Sequence, residues 1–193
     1  IFNIKNITVK REYFMERNVK VVDDLFGNKV VVIQDIRFKG KRMVKWSDVE
    51  TYLKQYIGEA HIIKSTNELV YIGADLPDEY THSNYTYILK GANAKAKANA
   101  AQGLPELLMI ADEKEYEINR KEKHSQDAKY GWYSYVTRFA LPVYGENENI
   151  ERYNVFQAIM LVRHAEDGKL YLYDIIKIKK ETSTLFQSKD LTQ

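Results

Sequence analysis

The chain has 193 residues, of which 45% are apolar and 29% charged, with no cysteine and a formal net charge of +2. This composition is typical of one globular domain, and the lack of cysteine excludes disulfides, thiolate zinc sites and a cysteine nucleophile. No apolar run reaches the ~18 residues of a membrane helix and no signal-peptide pattern opens the chain, so we expect no membrane contact.

The N-terminal part of the chain predicts a small β-rich lobe over residues 1–46. Apolar alternation predicts strands over 19–25 and 29–39, with a weaker one in 1–20. Residues 1–45 hold eleven Lys or Arg and five acids, about +6 in charge, which leaves about −4 for the rest of the chain. Such an asymmetry is compatible with a polyanion partner. The alternative is that these are solvated lysines on strand faces.

Helices are predicted next. Ser47-Asp48-Val49-Glu50 matches the S-x-x-E capping box, and apolar residues recur at helical spacing from there to Gly58. An alanine-rich helix is predicted over 83–101, where Gly91 can divide it. A further helix over 105–111 begins with its proline, which is tolerated at the first helical position.

Shorter elements separate these helices. Strands are predicted over 60–64, where His61 has a structural role, and over 68–72. The proline-containing stretch 75–80 predicts an acidic turn. Residues 112–130 are dominated by charge and predict an exposed loop or a frayed helix.

The C-terminal part of the chain predicts a three-stranded antiparallel meander. Apolar residues alternate over Trp132–Tyr144, Arg152–His164 and Leu170–Lys179, which are rich in Tyr, Val, Ile and Phe. Asp167-Gly168 is a strong hairpin signal. With these two residues at the turn centre, three pairs are expected: His164 faces Tyr171, Val162 faces Tyr173, and Ala158 faces Lys177. A one-residue bulge would exchange these neighbours.

The pattern as a whole predicts an α+β fold, in which helices pack on an antiparallel β-sheet formed by the C-terminal meander. We expect three parts: the N-terminal β-rich lobe 1–46, an α+β domain over 47–182 and a tail over 183–193. Tyrosines and basic residues share a face of the meander, which indicates a groove for a flat or anionic ligand. Alternatively, the tyrosines only cap the edge of a half-exposed sheet.

The residues also limit the chemistry. P-loop, dinucleotide-binding, nucleophile-elbow, zincin and EF-hand motifs are absent, so we expect no cofactor and no metal. His, Arg, Lys and Tyr suit metal-independent cleavage of RNA, because the 2′-OH is itself the nucleophile. Such cleavage needs a base, a cation for the phosphate and an acid for the leaving oxygen. Tyrosines can also stack bases.

Three residues are candidates for this chemistry. His124 is the leading acid–base candidate, because its positive neighbour Lys123 favours the neutral, base-competent imidazole. The alternative is an exposed histidine in a charged loop. Arg138 stands in an apolar strand, where an unpaired cation is costly, so its partner is either a phosphate or a carboxylate such as Asp174. His82 is a minor catalytic candidate, with a place near a helix N-terminus as the alternative.

Six short runs carry a resemblance to a known family: Glu79–Thr86, Lys95–Glu106, Lys123–Ser125, Gly131–Tyr133, Arg138–Tyr144 and Leu170–Asp174. Together they resemble domains of phage and mobile-element polyvalent proteins of Firmicutes and the phage nucleases of the barnase–EndoU–colicin–RelE type. The resemblance covers about 46–182. It implies helices followed by an antiparallel sheet and, in active members, a metal-independent ribonuclease whose site residues vary.

The resemblance implies catalytic residues for this chain, and the residues themselves indicate the substrate-binding ones. The expected catalytic residues are His124, Arg138 and Tyr173. The expected substrate-binding residues are Lys95, Lys97, Lys123, His164, Tyr171 and Lys177.

The resemblance also implies a function and partners. We expect a toxin-like ribonuclease module of a phage or mobile-element protein, in the bacterial cytoplasm or the virion. Its expected partners are RNA or another polyanion, phage structural proteins, or an immunity or antitoxin protein. The alternative is a non-catalytic phage structural or accessory binding module with the same fold. An ADP-ribosylating or other small-molecule toxin has little support in the sequence.

Overall fold

The structure is a computed structural model that describes residues 17–40 and 43–182. The predicted weak strand in 1–20 falls mostly outside these residues, as do several of the N-terminal basic residues and the tail 183–193. The side chain of Lys123 is also outside the described part of the chain.

The described residues form an α+β fold, as the sequence predicts. The strands are β1 (Val19–Asp23), β2 (Lys29–Ile33), β3 (Ala60–Ile63), β4 (Glu68–Tyr71), β5 (Asp112–Glu117), β6 (Trp132–Tyr144), β7 (Ile150–His164) and β8 (Leu170–Lys180). The helices are α1 (Trp46–Leu53), α2 (Leu76–His82), α3 (Asn84–Ile88), α4 (Gly91–Ala100) and α5 (Leu104–Met109). None of these helices combines the length and apolar character that crossing a bilayer requires.

All the described strands belong to one sheet. Its order is β1-β2-β6-β7-β8-β4-β3, and β5 pairs with β6 beside this path. The long strands β6, β7 and β8 pair antiparallel in chain order at its centre. Parallel pairing of β2 with β6 and of β4 with β8 extends the sheet on both sides, so β1 and β2 join the same sheet as the C-terminal strands.

The main core lies between the helices and one face of this sheet. Phe139 of β6 stacks on Phe156 of β7 with 5.3 Å between ring centroids, and both belong to that core. Small residues on α4 let the helix approach closely: Ala96, Ala98 and Ala100 are fully buried. The opposite face carries a smaller apolar cluster, because side chains alternate along each strand. Its buried members are Val30, Val32, Ala140, Tyr153 and Val155.

Three local predictions differ from the structure. The capping box at Ser47 does not form, because α1 begins one residue earlier and its N-cap, Lys45, makes no side-chain capping bond. Residues 75–80 are not a turn: α2 begins at Leu76 with Pro77 in its first turn, where the missing N–H has no helical partner to lose. Residues 112–117 form β5, whose six residues are all exposed, so its charges stay in water.

The β7–β8 hairpin has a different register from the predicted one. His164 lies opposite Leu170, and Arg163 lies opposite Tyr171, so the predicted pairing of His164 with Tyr171 is wrong. The physical reason is the turn. It closes with Ala165 N–H donating to the carbonyl of Lys169 at 3.0 Å, which leaves three residues in the loop instead of two.

Gly168 makes this three-residue turn possible. Its φ of +78° is the left-handed conformation that ends a type I turn with a bulge. Further bulges interrupt the pairing of β8 between Leu161 and Val162 and between Gln157 and Ile159. The sequence therefore locates the turn, and the predicted register is one residue off next to it. Between the two bulges the structure has the predicted register, with Leu161 opposite Asp174 and Ile159 opposite Ile176.

Candidate functional site

A cleft of about 380 Å³ opens where the loop after β5, helices α2 and α3, and strand β8 meet. The end of β5 contributes Glu117, and the loop contributes Ile118, Asn119, Arg120, Lys121 and His124. The helical segment contributes Glu79, His82, Ser83, Asn84 and Tyr85. The sheet contributes Trp132, Leu161, Tyr173, Asp174 and Ile176. Two of the three predicted catalytic residues, His124 and Tyr173, are therefore in one cleft.

His124 is held in the cleft wall by aromatic rings. It ends a short 3-10 turn, Glu122–His124, and it is only 6% exposed. Its ring packs edge-on against Trp132 at 5.2 Å and against Tyr173 at 5.7 Å between centroids. Its Nδ1 lies 3.4 Å from Oδ2 of Asp127. The imidazole is thus fixed in orientation beside two aromatic groups.

Asn119 fastens the loop of His124 to the sheet. Its Nδ2 donates to the backbone carbonyl of His124 at 2.9 Å. Its Oδ1 accepts from Nε1 of Trp132 at 3.4 Å. One amide side chain therefore connects the loop that carries the imidazole to the first residue of β6.

Tyr173 enters the cleft as a hydrogen-bond donor. Its hydroxyl donates to Oε2 of Glu79 on α2 at 2.5 Å. Burial and this hydrogen bond raise the pKa of Tyr173 well above its usual value. The phenol therefore stays protonated at neutral pH, and it cannot act as a base there.

A buried ion pair lies below the cleft. Nζ of Lys97 is 2.5 Å from Oδ1 of Asp174 and 2.6 Å from Oγ1 of Thr86. Ser83 donates to the other carboxylate oxygen of Asp174 at 2.8 Å. Lys97 is fully buried on α4, so it has no surface to offer to a substrate. Its role in this structure is to tie the helices to β8.

Burial changes the ionisation of both members of this pair. It raises the pKa of Asp174 to about 6, although Lys97 and Ser83 act in the opposite direction. It also lowers the pKa of Lys97, and the attraction of Asp174 only partly compensates. Asp174 therefore takes up a proton at a higher pH than an ordinary aspartate.

Arg138 lies outside the cleft. Its partners are carboxylates, as one of the two alternatives predicted, but they are Asp24 and Glu181 instead of Asp174. Nε and Nη2 of Arg138 bind Glu181 at 2.7 and 2.8 Å, and Nη1 binds Oδ2 of Asp24 at 2.8 Å. These bonds, the one to Glu181 first, raise the pKa of Arg138. The guanidinium is satisfied within the protein.

The other predicted binding residues are dispersed. His164 packs between Tyr130 and Tyr133, with 5.1 and 5.9 Å between ring centroids. Lys95 lines a second pocket, of about 620 Å³, next to Phe156 and Leu141.

Tyr171 and Lys177 lie on β8 away from the cleft. The hydroxyl of Tyr171 donates to Asp167 at 2.7 Å. Lys177 is exposed and has a φ of +52° at a bulge. None of these residues lines the cleft of His124.

The cleft also contains residues that sequence reasoning passed over. Trp132, Glu79 and the cations Arg120 and Lys121 line it, and both cations are exposed. His82, a minor candidate in the sequence, is on the cleft wall with Nδ1 3.1 Å from Oδ1 of Asp78. The charged loop that carries these cations follows β5, and the composition of β5 did not indicate a strand.

The arrangement offers two imidazoles, a phenol held by a carboxylate, an indole ring and two exposed cations around one cleft. Such a set can bind a flat, anionic ligand and move protons at it. In residues 17–40 and 43–182, no group of three or more His, Asp or Glu side chains is arranged to hold a metal ion. The chain matches no protein-family model, no curated protein and no solved structure.

Proposed function

We propose that the chain is a metal-independent ribonuclease module of a phage or mobile-element protein, and that RNA is cleaved in the cleft of His124. The observation that carries the proposal is the presence of two histidines, His124 and His82, in one cleft beside the exposed cations Arg120 and Lys121. A pair of imidazoles can supply both proton transfers of RNA cleavage. The cations supply charge for the phosphate.

The proposed reaction is a transesterification. His124 takes the proton of the 2′-OH, and the 2′-oxygen attacks phosphorus. The bond from phosphorus to the 5′-oxygen breaks, and His82, oriented by Asp78, gives its proton to that oxygen. The products are a 2′,3′-cyclic phosphate and a 5′-OH, and no water or metal takes part in this step. Arg120 and Lys121 stabilise the charge that develops on the phosphoryl oxygens.

The remaining parts of the cleft bind and orient. Trp132 provides a ring on which a base can stack, and Tyr173, held by Glu79, keeps the ring of His124 in place. In this proposal the C-terminal meander carries the cleft, and the basic N-terminal β-rich lobe supplies further cations for the RNA backbone. Arg138 has no catalytic role, because its donors are bound to Asp24 and Glu181.

The proposal is tested with a single-stranded oligoribonucleotide incubated with the purified protein in EDTA. We expect products that end in a 2′,3′-cyclic phosphate. The variants His124→Ala and His82→Ala should each slow cleavage by about 10²–10⁴-fold, the usual contribution of a general acid or base. His61→Ala is the matched control, since His61 binds Glu59 at 2.9 Å on β3 and does not line the cleft. Intact RNA, or equal cleavage by all four proteins, would refute the proposal.

A non-catalytic binding module is the second candidate, and the burial of His124 favours it. An imidazole that is 6% exposed and enclosed by Trp132 and Tyr173 has little room to reach a 2′-OH. In that case the cleft and the basic residues would bind nucleic acid or a phage structural protein without chemistry. Salt-dependent RNA binding with no cyclic-phosphate product identifies this outcome.

A further inference from the structure

Four residues form a line across four adjacent strands. Trp132 of β6 lies opposite Arg163 of β7, and Arg163 lies opposite Tyr171 of β8. Tyr171 is in turn the register partner of Tyr71 on β4. Register partners on neighbouring strands point to the same face of a sheet, and strands are ~4.8 Å apart. These four residues, here called the aromatic row, therefore extend for about 14 Å from the cleft of His124.

Ring–ring and cation–ring contacts connect the residues of the aromatic row on β8 and β4 with Arg163 and with the β7–β8 turn. The guanidinium carbon of Arg163 lies 5.0 Å from the centroid of the Tyr171 ring. The rings of Tyr171 and Tyr71 are 5.8 Å apart and tilted by 42°. Nζ of Lys169, from the β7–β8 turn, lies 5.0 Å from the centroid of Tyr71. Cation–π contacts of this kind hold the rings and cations in one layer.

Acidic groups balance the charge of this layer. Arg163 pairs with Asp75 at 2.6 Å, and Asp167 accepts a hydrogen bond from the Tyr171 hydroxyl. Two carboxylates thus stand beside the two cations of the row and its turn. A ligand bound here would gain more from stacking on the rings and on the guanidinium plane than from net positive charge.

We propose that the aromatic row binds unpaired bases of a single RNA strand that leaves the cleft at Trp132. This inference rests on the proposed function in one respect, namely that RNA is the ligand of the cleft. Trp132 belongs to both the cleft and the row, so a strand bound at one continues directly onto the other. The row also sets the substrate class. Bases of a duplex are stacked on each other and cannot lie on protein rings, so the module takes single-stranded RNA.

The test compares the affinities of three ligands by fluorescence anisotropy. They are a single-stranded octanucleotide, the duplex of the same sequence, and the single strand with 2′-O-methyl groups, which cannot be cleaved. We expect the two single strands to bind much more tightly than the duplex. Tyr71→Ala and Tyr171→Ala should each weaken single-strand binding by about tenfold, the usual effect of removing one stacking ring, with little change in salt dependence.

Matched controls separate the ring from the fold. Tyr71→Phe and Tyr171→Phe keep the ring and should bind as wild type. Tyr87→Ala removes a tyrosine that is 88% exposed on α3 and belongs to neither the row nor the cleft, so it should have no effect. Circular dichroism shows whether each variant is folded. If an Ala variant does not fold, the corresponding Phe variant still shows whether binding needs the hydroxyl group.

The outcomes distinguish this inference from the proposed function. If binding depends on Tyr71 and Tyr171 but no RNA is cleaved, the row is supported and the ribonuclease proposal fails. If RNA is cleaved with dependence on His124 while both Ala variants bind normally, the row is refuted and the ribonuclease proposal remains. Duplex binding as tight as single-strand binding would refute the row, and no RNA binding at all would refute both.

Discussion

The buried pair of Lys97 and Asp174 gives the sharpest prediction about stability. Lys97→Met keeps the length of the side chain and removes its charge. The carboxylate of Asp174 would then remain buried with Ser83 and its own neighbour Ile175 N–H as donors, at 2.8 and 2.7 Å. Removing one partner of a buried ion pair leaves an uncompensated charge, which costs about 3–5 kcal/mol. We expect a loss of that size at pH 7.

The loss should depend on pH in a direction that the structure determines. Burial already raises the pKa of Asp174 to about 6 in the presence of Lys97, and without Lys97 the pKa must rise further. When a carboxyl has a higher pKa in the folded than in the unfolded state, protonation of that carboxyl stabilises the folded state. The cost of Lys97→Met is therefore fully present above the folded-state pKa of the variant. It declines as the pH falls from that value toward about 6, below which Asp174 is protonated in the wild type as well and the difference between the two proteins stays small.

Urea unfolding followed by circular dichroism at pH 7 and at pH 5 measures this cost by linear extrapolation. The double variant with Asp174→Asn is the control, because it removes both charges and should recover more than half of the loss. A cost below about 1 kcal/mol, or one that is equal at both pH values, would show that Lys97 and Asp174 do not form a buried ion pair.

Two further variants test individual contacts. Arg138→Met should lower the free energy of unfolding by about 2 kcal/mol, because it removes a cation that binds both Asp24 and Glu181. Folded protein should still cleave RNA at the wild-type rate, and a selective loss of cleavage would support the predicted catalytic role of Arg138. Gly168→Ala should lower the free energy of unfolding in urea by about 1 kcal/mol. The cost comes from the backbone, because φ is +78° and an added Cβ would meet no atom within 4 Å. An unchanged stability would contradict the left-handed turn.

The fold class was predictable because the long strands and α1 show clear periodicity, and because alanine is frequent in α4. The two errors in element type have opposite causes. Residues 75–80 contain a proline, which indicates a turn in most contexts but is also favoured in the first turn of a helix. Residues 112–117 have almost no apolar side chain, and they form a strand only because β6 offers them an edge for antiparallel pairing. Such a strand depends on its neighbour and leaves no periodic signal.

The candidate site was predictable in part, for a related reason. His124 and Tyr173 stood out as a histidine beside a charged loop and a tyrosine on a long strand, and they meet in the cleft. Lys97 and Arg138 are cations in apolar sequence, and such cations need a partner. For both cations the partner is a carboxylate within the protein. Asp174 is 77 residues from Lys97 in the sequence, and Asp24 is 114 residues from Arg138. Only the folded chain shows that these carboxylates are near.

The spacing of the apolar residues on β8 already indicates where its pairing with β7 is irregular. Its buried apolar residues are Leu170, Leu172, Ile175 and Ile178. The first interval is two residues, as in a regular strand, but the next two are three residues each. Strict alternation would turn Ile175 and Ile178 to opposite faces, so each long interval requires one extra residue.

The structure has bulges at these two places. At the first, Leu172 pairs with Val162 and Asp174 with Leu161, so Tyr173 is the extra residue. Without it, Asp174 would lie opposite Met160, which is fully buried in the core, and Ile175 would turn away from the core. The bulge instead places Ile175 opposite Met160 and leaves Tyr173 to line the cleft beside His124. The apolar spacing of β8 thus both stabilises the core and determines which residues reach the cleft.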